Sequence, residues 1–318
     1  MQPATPHPVI LPFAAPQRGH ANAIRALVGI DGGGTHTRVR VLDLHDRFHG
    51  EGDTGASALN QGVEQAWRNI DAAFQQAARA AGQPALQWHE CAVGAGLSGA
   101  NVGSYLQSFV AAHPGCARLV VDSDAYTGVI GAHAGAPGAL LISGTGSICA
   151  AVRRDGTRRS VGGWGWTIGD EGSGAWLGKE ALRHAQRVLD GRDPAGALAK
   201  AIWQRVGRGD DLADALREWS ARASQAALAS LGPIVFEQAD HDPIAAQLLD
   251  QAAAELHALA CAADPDGELA FAIAGSVAVR LQHRFPEALR RRVAAPIGDA
   301  VSGALQLARR ALSDGELH

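Results

Sequence analysis

The sequence predicts an α/β protein built from two related halves. Three observations carry that prediction. A short apolar strand, a turn of small polar residues and a second strand occur in that order twice, near 27–42 and near 139–152. Strand and helix patterns alternate between 90 and 133, which implies parallel strands covered by helices. Of 318 residues, 47% are hydrophobic and 19% charged, enough apolar material for sizeable cores, and the length suits two domains of ordinary size.

Residues 1–24 hold five prolines and few charges. They read as a flexible N-terminal extension, or as residues upstream of the true start, because the prolines interrupt any apolar signal core. An N-terminal domain is expected over 25–136. It opens with the run Ala26 to Asp31, turns at Gly32-Gly33-Gly34-Thr35, and continues as the strand Thr37–Leu42, with Val39 and Val41 on one face and Arg38 and Arg40 on the other. Trp67, Ile70, Phe74 and Ala77 recur at helical spacing within 63–81. A strand over 90–94, a helix over about 101–113, the strand Arg118–Asp122 and a helix over 124–133 follow. Gly135-Ala-Pro137-Gly138 reads as the boundary to a C-terminal domain over 137–318 with a helical insertion. That domain opens with Ala139–Ile142 and the turn Ser143–Ser147, followed by two strands around Asp155-Gly156, a hairpin signal. Residues 174–262 are mostly helical in pattern. Asp242 and Pro243 mark an N-cap and a first helical position, with Ile244, Leu248, Ala252, Leu256 and Leu259 as the core stripe. Phe271–Ala274 reads as a late strand and 299–312 as the closing helix.

Charge and cysteine usage narrow the function classes. The net charge is −4, against a nucleic-acid protein held by bulk positive charge. No apolar run approaches the roughly 20 residues that span a membrane. The four cysteines (Cys91, Cys116, Cys149, Cys261) are scattered, which suits reduced, buried thiols in a cytoplasmic protein. The 13 histidines form no zinc-spaced pattern, so no transition metal is expected.

The chemistry lies in the glycine clusters. Consecutive glycines in Asp31–Thr37 let backbone N–H groups approach an anion. Thr35 or Thr37 can donate to phosphate, and Asp31 can hold Mg²⁺ through water. An ordinary glycine hairpin would look the same. Ser143-Gly144-Thr145-Gly146-Ser147 repeats the pattern after the opening strand of the other half, so two hairpins gripping a polyphosphate become the better reading. Gly94-Ala-Gly96-Leu-Ser-Gly99 matches a dinucleotide fingerprint, with Asp122 at the next strand end, but that reading explains neither hairpin; the same glycines suit a substrate cleft. Asp122 and Asp124 flank Ser123 where a strand passes into a helix. A carboxylate there can accept a proton from a substrate hydroxyl, and Asp124 can equally cap the helix. The Gly162–Gly174 stretch, with Trp164, Trp166, Asp170 and Glu171, suits a sugar, by stacking and by carboxylate–hydroxyl bonds. Asp170 can instead cap the next helix, with Trp164 in the core.

The two hairpins, Ser123-Asp124-Ala125, Gly162-Gly-Trp164-Gly…Gly169-Asp-Glu-Gly-Ser173 and Ala274-Gly-Ser276 together resemble the N-acetylglucosamine kinase family, in the BadF/BadG/BcrA/BcrD ATPase-like branch of the sugar kinase/Hsp70/actin superfamily. The resemblance runs from about 27 to 310. From about 222 onward the chain also resembles bacterial glucosamine kinase, in Asp242-Pro-Ile-Ala, Ala274-Gly-Ser-Val-Ala278 and Asp299–Ala304.

The resemblance implies two ribonuclease-H-like (actin-like ATPase) domains with a central cleft, and ATP-dependent, Mg²⁺-assisted phosphorylation of an amino sugar, N-acetylglucosamine ahead of glucosamine, at the 6-hydroxyl. It implies that Asp31, Gly33, Gly34 and Thr35, then Gly144, Thr145 and Gly146, hold phosphates, and that Gly275 and Ser276 belong to an adenosine motif. Asp124 matches the general base and Asp170 a sugar carboxylate, with Ser98, Gly99 and Trp164 near the sugar. The family's sugar-holding Asn is replaced by Ser57, with Asn60 nearby. The expected partner is the small-molecule sugar, with neither nucleic acid nor membrane; a homodimer is left open. Other-class readings are an ATPase activator of an iron–sulfur reductase, which needs cluster-ligating cysteines, a nucleotide-switched binding protein, and the NAD enzyme.

Overall fold

A computed structural model describes residues 9–10, 24–45, 49–207 and 211–313. In chain order the elements are β1 (Val9–Ile10), β2 (Ala26–Gly32), β3 (Thr37–Asp43), β4 (His49–Thr54), α1 (Val63–Ala80), β5 (Cys91–Leu97), α2 (Gly103–Ala111), β6 (Arg118–Asp122), α3 (Asp124–Ala132), β7 (Gly138–Ser143), β8 (Ser147–Val152), β9 (Arg158–Gly162), α4 (Gly174–Leu189), α5 (Ala197–Val206), α6 (Leu212–Arg222), α7 (Gln225–Ala229), α8 (Gly232–Gln238), α9 (Pro243–Ala263), β10 (Phe271–Ala274), α10 (Ser276–Leu281), α11 (Glu287–Arg290) and α12 (Ala300–Ser313). The protein is a mixed α/β chain with two sheets among the described residues, ordered β1-β6-β5-β2-β3-β4 and β10-β7-β8-β9. Two compact units hold them: 1–138 with 152–158 and 295–318, and 139–151 with 159–294.

In the first unit β2, β3 and β4 form an antiparallel meander, and β5 and β6 add parallel to the other side of β2. Side-chain alternation divides the sheet into two faces. Ala26, Val28, Ile30, Val39, Val41 and Val93 pack with Trp67, Ile70 and Phe74 of α1. Leu27 and Ala92, on the other face, pack with Leu305 and Ala308 of α12. Asp31, Arg38 and Arg40 alternate onto that second face. The chain's last helix thus belongs to the first unit, and the expected C-terminal domain over 137–318 is corrected there: α12 supplies an apolar face that β2 and β5 need covered. Gly94 explains the closeness of this packing, since a Cβ would overlap the Ala304 carbonyl, and at Gly96 it would overlap Thr127. Two glycines of the apparent dinucleotide fingerprint therefore serve helix–sheet contact.

The sequence reading missed β4. His49-Gly-Glu-Gly-Asp-Thr54 has no apolar side chain and a single β-branched residue, Thr54, where strands are usually rich in both; at Gly50 and Gly52 a Cβ would overlap carbonyls of α1, so small residues are the requirement there. The reading of 1–24 as flexible falls largely outside the described residues, but Val9–Ile10 pair antiparallel with Val120 and Val121 of β6.

In the second unit β7, β8 and β9 are consecutive neighbours, and β10 joins parallel to β7 with Phe271 opposite Ala139. Strand, turn, strand and a later parallel strand thus recur as in the first unit. The core gathers Leu141, Cys149, Leu177, Ile202, Leu256 and Phe271. Asp242 caps α9 by accepting from Ile244 and Ala245 N–H, and also accepts the Leu198 N–H at 2.8 Å, fixing the start of α5. Cys91, Cys116 and Cys149 are buried, whereas Cys261 is exposed, correcting its expected burial. Burial pushes the Cys116 thiol up to about 12 and raises Cys91 and Cys149 as well.

Candidate active site

The first unit brings one group of expected residues together at strand ends. Asp31 lies at the end of β2, and Arg38, its register partner on β3, donates from Nη2 to Asp31 Oδ2 at 2.9 Å. The hairpin between them closes through Gly33 N–H to His36 O, leaving Gly34 and Thr35 exposed. The 57–61 loop folds onto this hairpin: Ser57 and Ala58 N–H both donate to Gly33 O at 3.0 Å, and Gln61 reaches Gly34 O. Ser98 N–H donates to Gly32 O, and Leu59 N–H to Ser98 O. Asn60 and Gly99 consequently lie side by side, a Cβ at Gly99 falling 3.6 Å from Asn60 N.

Two expected ligands become structural. Thr37 is buried, its Oγ1 bonded to Gly55 O at 2.6 Å and to Ser57 Oγ at 2.7 Å. Ser57 is buried with it, so neither hydroxyl is presented to a ligand. The expectations of phosphate contact at Thr37 and sugar contact at Ser57 are corrected: this pair ties the start of β3 to the loop over it. Asn60, exposed, remains.

Asp124 begins α3, but the cap is Ser123, whose side chain accepts the Tyr126 N–H. The Asp124 carboxylate is released from capping. It accepts the Ala125 N–H at 2.8 Å and the Ser98 hydroxyl. Burial, with Asp31 as a like charge, pushes its pKa up to about 6. Asp122 is differently placed. Arg158 donates to its Oδ1 at 2.6 Å and stacks over Tyr126 at 3.5 Å; with the Ser123 N–H on the same oxygen, Asp122 is an ion-pair anchor rather than a base.

The fit to Mg²⁺ can be judged from the donors present. Asp31 and Asp124 place two carboxylates within electrostatic range of each other, a concentration of negative charge that a cation offsets. Arg38 occupies one Asp31 oxygen, and among the described residues no three His, Cys, Asp or Glu side chains gather. That suits an ion carried on phosphate oxygens and water and touched by one carboxylate, the usual manner for Mg²⁺, and not an all-protein cage.

The second unit holds the other hairpin. Ser143 and Ser147 hydroxyls donate to Gly172 O and Glu171 O, and Gly144 N–H to Gly146 O, leaving Thr145 at the exposed tip. Asp170, with a left-handed φ of 59°, is buried beneath it. Its Oδ1 accepts the Ser147 N–H at 3.2 Å and its Oδ2 the Gln225 amide at 2.8 Å. Burial raises its pKa. Each oxygen carries one bond, so Asp170 braces the hairpin, and Gly146 is small because a Cβ would sit 3.0 Å from it. Nor does Asp170 cap α4, a role held by Ser173. Trp164 is 74% exposed and Ile168 76%, which removes the core alternative for Trp164. Gly275, at φ 85°, precedes α10 with no room for a Cβ beside the Ser143 carbonyl, and Ser276 is exposed at the start of that helix.

Residues 28–308 match the BadF/BadG/BcrA/BcrD ATPase family. The chain belongs to that family. It is 33% identical to a glucosamine kinase of Vibrio cholerae over 88% of this chain and 95% of that protein. It is 27% identical to an N-acetyl-D-glucosamine kinase of Dictyostelium discoideum over 73% and 77% respectively. A crystal structure of a candidate N-acetylglucosamine kinase from Chromobacterium violaceum superposes with a TM-score of 0.83 at 42% identity, covering 90% of this chain and 99% of the other. Within this family member, sequence reasoning missed Arg38 on Asp31, Gln225 on Asp170 and Arg158 on Asp122. Only the first had a readable signal: a tight hairpin at Gly33–His36 places residue 38 opposite residue 31.

Proposed function

We propose that the protein is an ATP-dependent kinase that phosphorylates an amino sugar, with N-acetylglucosamine the preferred acceptor and its 6-hydroxyl the attacking group. The observation that carries this reading is Asp124. Its carboxylate is free of capping, held by Ala125 N–H and the Ser98 hydroxyl, and poised at about 6. Such a group is ionised near neutrality yet basic enough to take a proton from a hydroxyl as the new P–O bond forms. The family relatives named for glucosamine and N-acetylglucosamine support the acceptor class.

Phosphoryl transfer asks mainly for positioning and charge neutralisation. Gly34 and Thr35 of one hairpin, and Thr145 and Gly146 of the other, offer backbone and hydroxyl donors to phosphate oxygens, while Gly33 and Gly144, whose N–H groups close the hairpins, leave room for the approach. Asp124 accepts the acceptor's proton, while Ser98 orients the carboxylate. Mg²⁺, when bound with the nucleotide at Asp31, supplies further neutralisation of phosphate charge. Ser276 and Gly275 border the nucleotide, and Asn60 and Gly99 the sugar.

The preference for the N-acetyl sugar rests on Trp164 and Ile168, large apolar side chains left exposed on a glycine loop, which suit an acetyl methyl. Asp170 is buried and already braced by Ser147 and Gln225, which favours a structural role for it over pairing with a free amine. The second reading, glucosamine as the better acceptor, keeps Glu171, half-buried beside it. Trp164→Ala is expected to lower the ratio of kcat/KM for N-acetylglucosamine over glucosamine about tenfold, since a methyl-sized contact contributes about 1–3 kcal/mol. A wild type with the higher kcat/KM for glucosamine overturns the acetyl argument.

Gly144→Val is expected to weaken ADP binding about tenfold or more, from overpacking of about 1–3 kcal/mol, with sugar binding and Tm near wild type. A Cβ at 144 meets no protein atom within 4 Å, so the added atoms occupy space that phosphate would use. Calorimetry showing unchanged ADP affinity removes this hairpin from the phosphate site.

A further inference from the structure

The second unit contains a cleft that reaches well beyond the Ser143–Ser147 hairpin. Gly144 and Thr145 line one part of it, and Gly174, Gly232, Pro233 and Ser276 border the rest. Phe236 of α8 and Arg280 of α10 belong to the same lining, with Ala229 and Val277. The guanidinium carbon of Arg280 lies 3.8 Å over the Phe236 ring. Phe236 is half-buried and Arg280 is exposed, so the ring supports the guanidinium from one side while the cation stays accessible from the cleft.

We propose that Arg280, held flat by Phe236, is the platform on which the purine base of the nucleotide stacks. The proposal rests on the reading of Ser143–Ser147 as a phosphate hairpin. Given that reading, Gly144 and Thr145 place the phosphates in the same cleft as the stack, and much of the remaining lining is small or apolar (Gly174, Ala229, Gly232, Pro233 and Val277). A guanidinium already lying on one aromatic ring offers its second face to another π-system, an arrangement open to arginine and not to lysine. Support from the ring also lowers the ordering cost of binding. An arginine meant for phosphate would direct its N–H fork at the ligand; here the plane of the side chain is what Phe236 organises. The lining has few side chains able to read base edges, so stacking area decides selectivity: adenine and guanine nucleotides bind alike, and pyrimidine nucleotides less well.

The test is calorimetry on the full chain with ADP and CDP, which carry the same phosphates on different bases. Wild type is expected to bind ADP about tenfold more tightly than CDP, in line with one cation–π contact. Arg280→Ala is expected to weaken ADP about tenfold and to collapse the preference, and Arg280→Lys to behave as Arg280→Ala. Phe236→Leu, which frees the guanidinium plane, reduces the preference in part. Equal weakening of ADP and CDP with the preference intact makes Arg280 a phosphate contact and overturns the proposal. Unchanged ADP affinity places the base elsewhere and overturns it too. A wild type that binds neither nucleotide defeats the kinase reading itself, a result distinct from both.

Discussion

Asp124→Asn is expected to lower kcat by about two to four orders of magnitude, the usual contribution of a positioned general base, while the sugar KM changes little. Asparagine keeps the oxygen that accepts the Ala125 N–H and cannot take a proton, so the start of α3 survives and the chemistry does not. The pH profile supplies an independent readout. The base must be ionised to act, so kcat/KM of the wild type is expected to fall as pH drops through about 6, and this acid limb is expected to vanish in the variant. Stability moves the other way. A carboxyl whose pKa is raised in the folded state binds its proton more tightly folded than unfolded, which stabilises the protein at low pH and is lost as pH rises through about 6. Asparagine never ionises, so the variant is expected to have a higher Tm than wild type at pH 7–8, with the gain shrinking at acid pH. A variant retaining more than half of kcat moves the role away from Asp124. Asp122 is then a poor substitute, because Arg158 holds its Oδ1.

Gly275→Ala is expected to be the most damaging change at the nucleotide side. Its φ of 85° lies in the left-handed region, and a Cβ would overlap the Ser143 carbonyl. The strain and the backbone overlap together cost about 2–4 kcal/mol, and relief requires β7 and α10 to move apart. The expected result is a Tm lowered by several degrees with ADP binding lost, in contrast to Gly144→Val, where Tm holds and only ADP affinity falls. These two glycines thus separate two uses of the residue: one lets backbone pack on backbone, the other leaves space for a ligand. A Gly275→Ala protein with wild-type Tm and ADP affinity contradicts the packing described.

Much of the scaffold was legible because its signals are local. The period-two strand β3, the short apolar run of β6, the helical stripe of α1 and the Asp242–Pro243 start of α9 follow from residue type at short range. The two small-residue hairpins were legible for the same reason. β4 was not, because its glycines answer a steric demand from α1 that no local pattern expresses. The bracing role of Asp170 was hidden for a related cause: its neighbours in sequence are Trp and Gly, which suggest a sugar, but its partners in space are Ser147 and Gln225, 23 and 55 residues away. Thr37 and Ser57 were misread similarly, two hydroxyls beside a phosphate-type turn that bond to each other. Asp124 was left open between cap and base, and only the geometry of Ser123 separates the two. Burial and long-range pairing decide whether a polar side chain in a glycine-rich motif faces inward or outward, and neither is written in spacing alone.

The central claim is sugar-dependent phosphoryl transfer from ATP, and a coupled assay of ADP release tests it most directly. Purified protein with Mg²⁺ and ATP is offered N-acetylglucosamine, glucosamine, N-acetylmannosamine and glucose, with the sugar phosphate quantified in parallel. The expected result is ADP and sugar 6-phosphate formed one to one, with an amino sugar the best acceptor, N-acetylglucosamine leading, and little ADP released without sugar. ADP release that no sugar stimulates, or a rate confined to glucose, contradicts it.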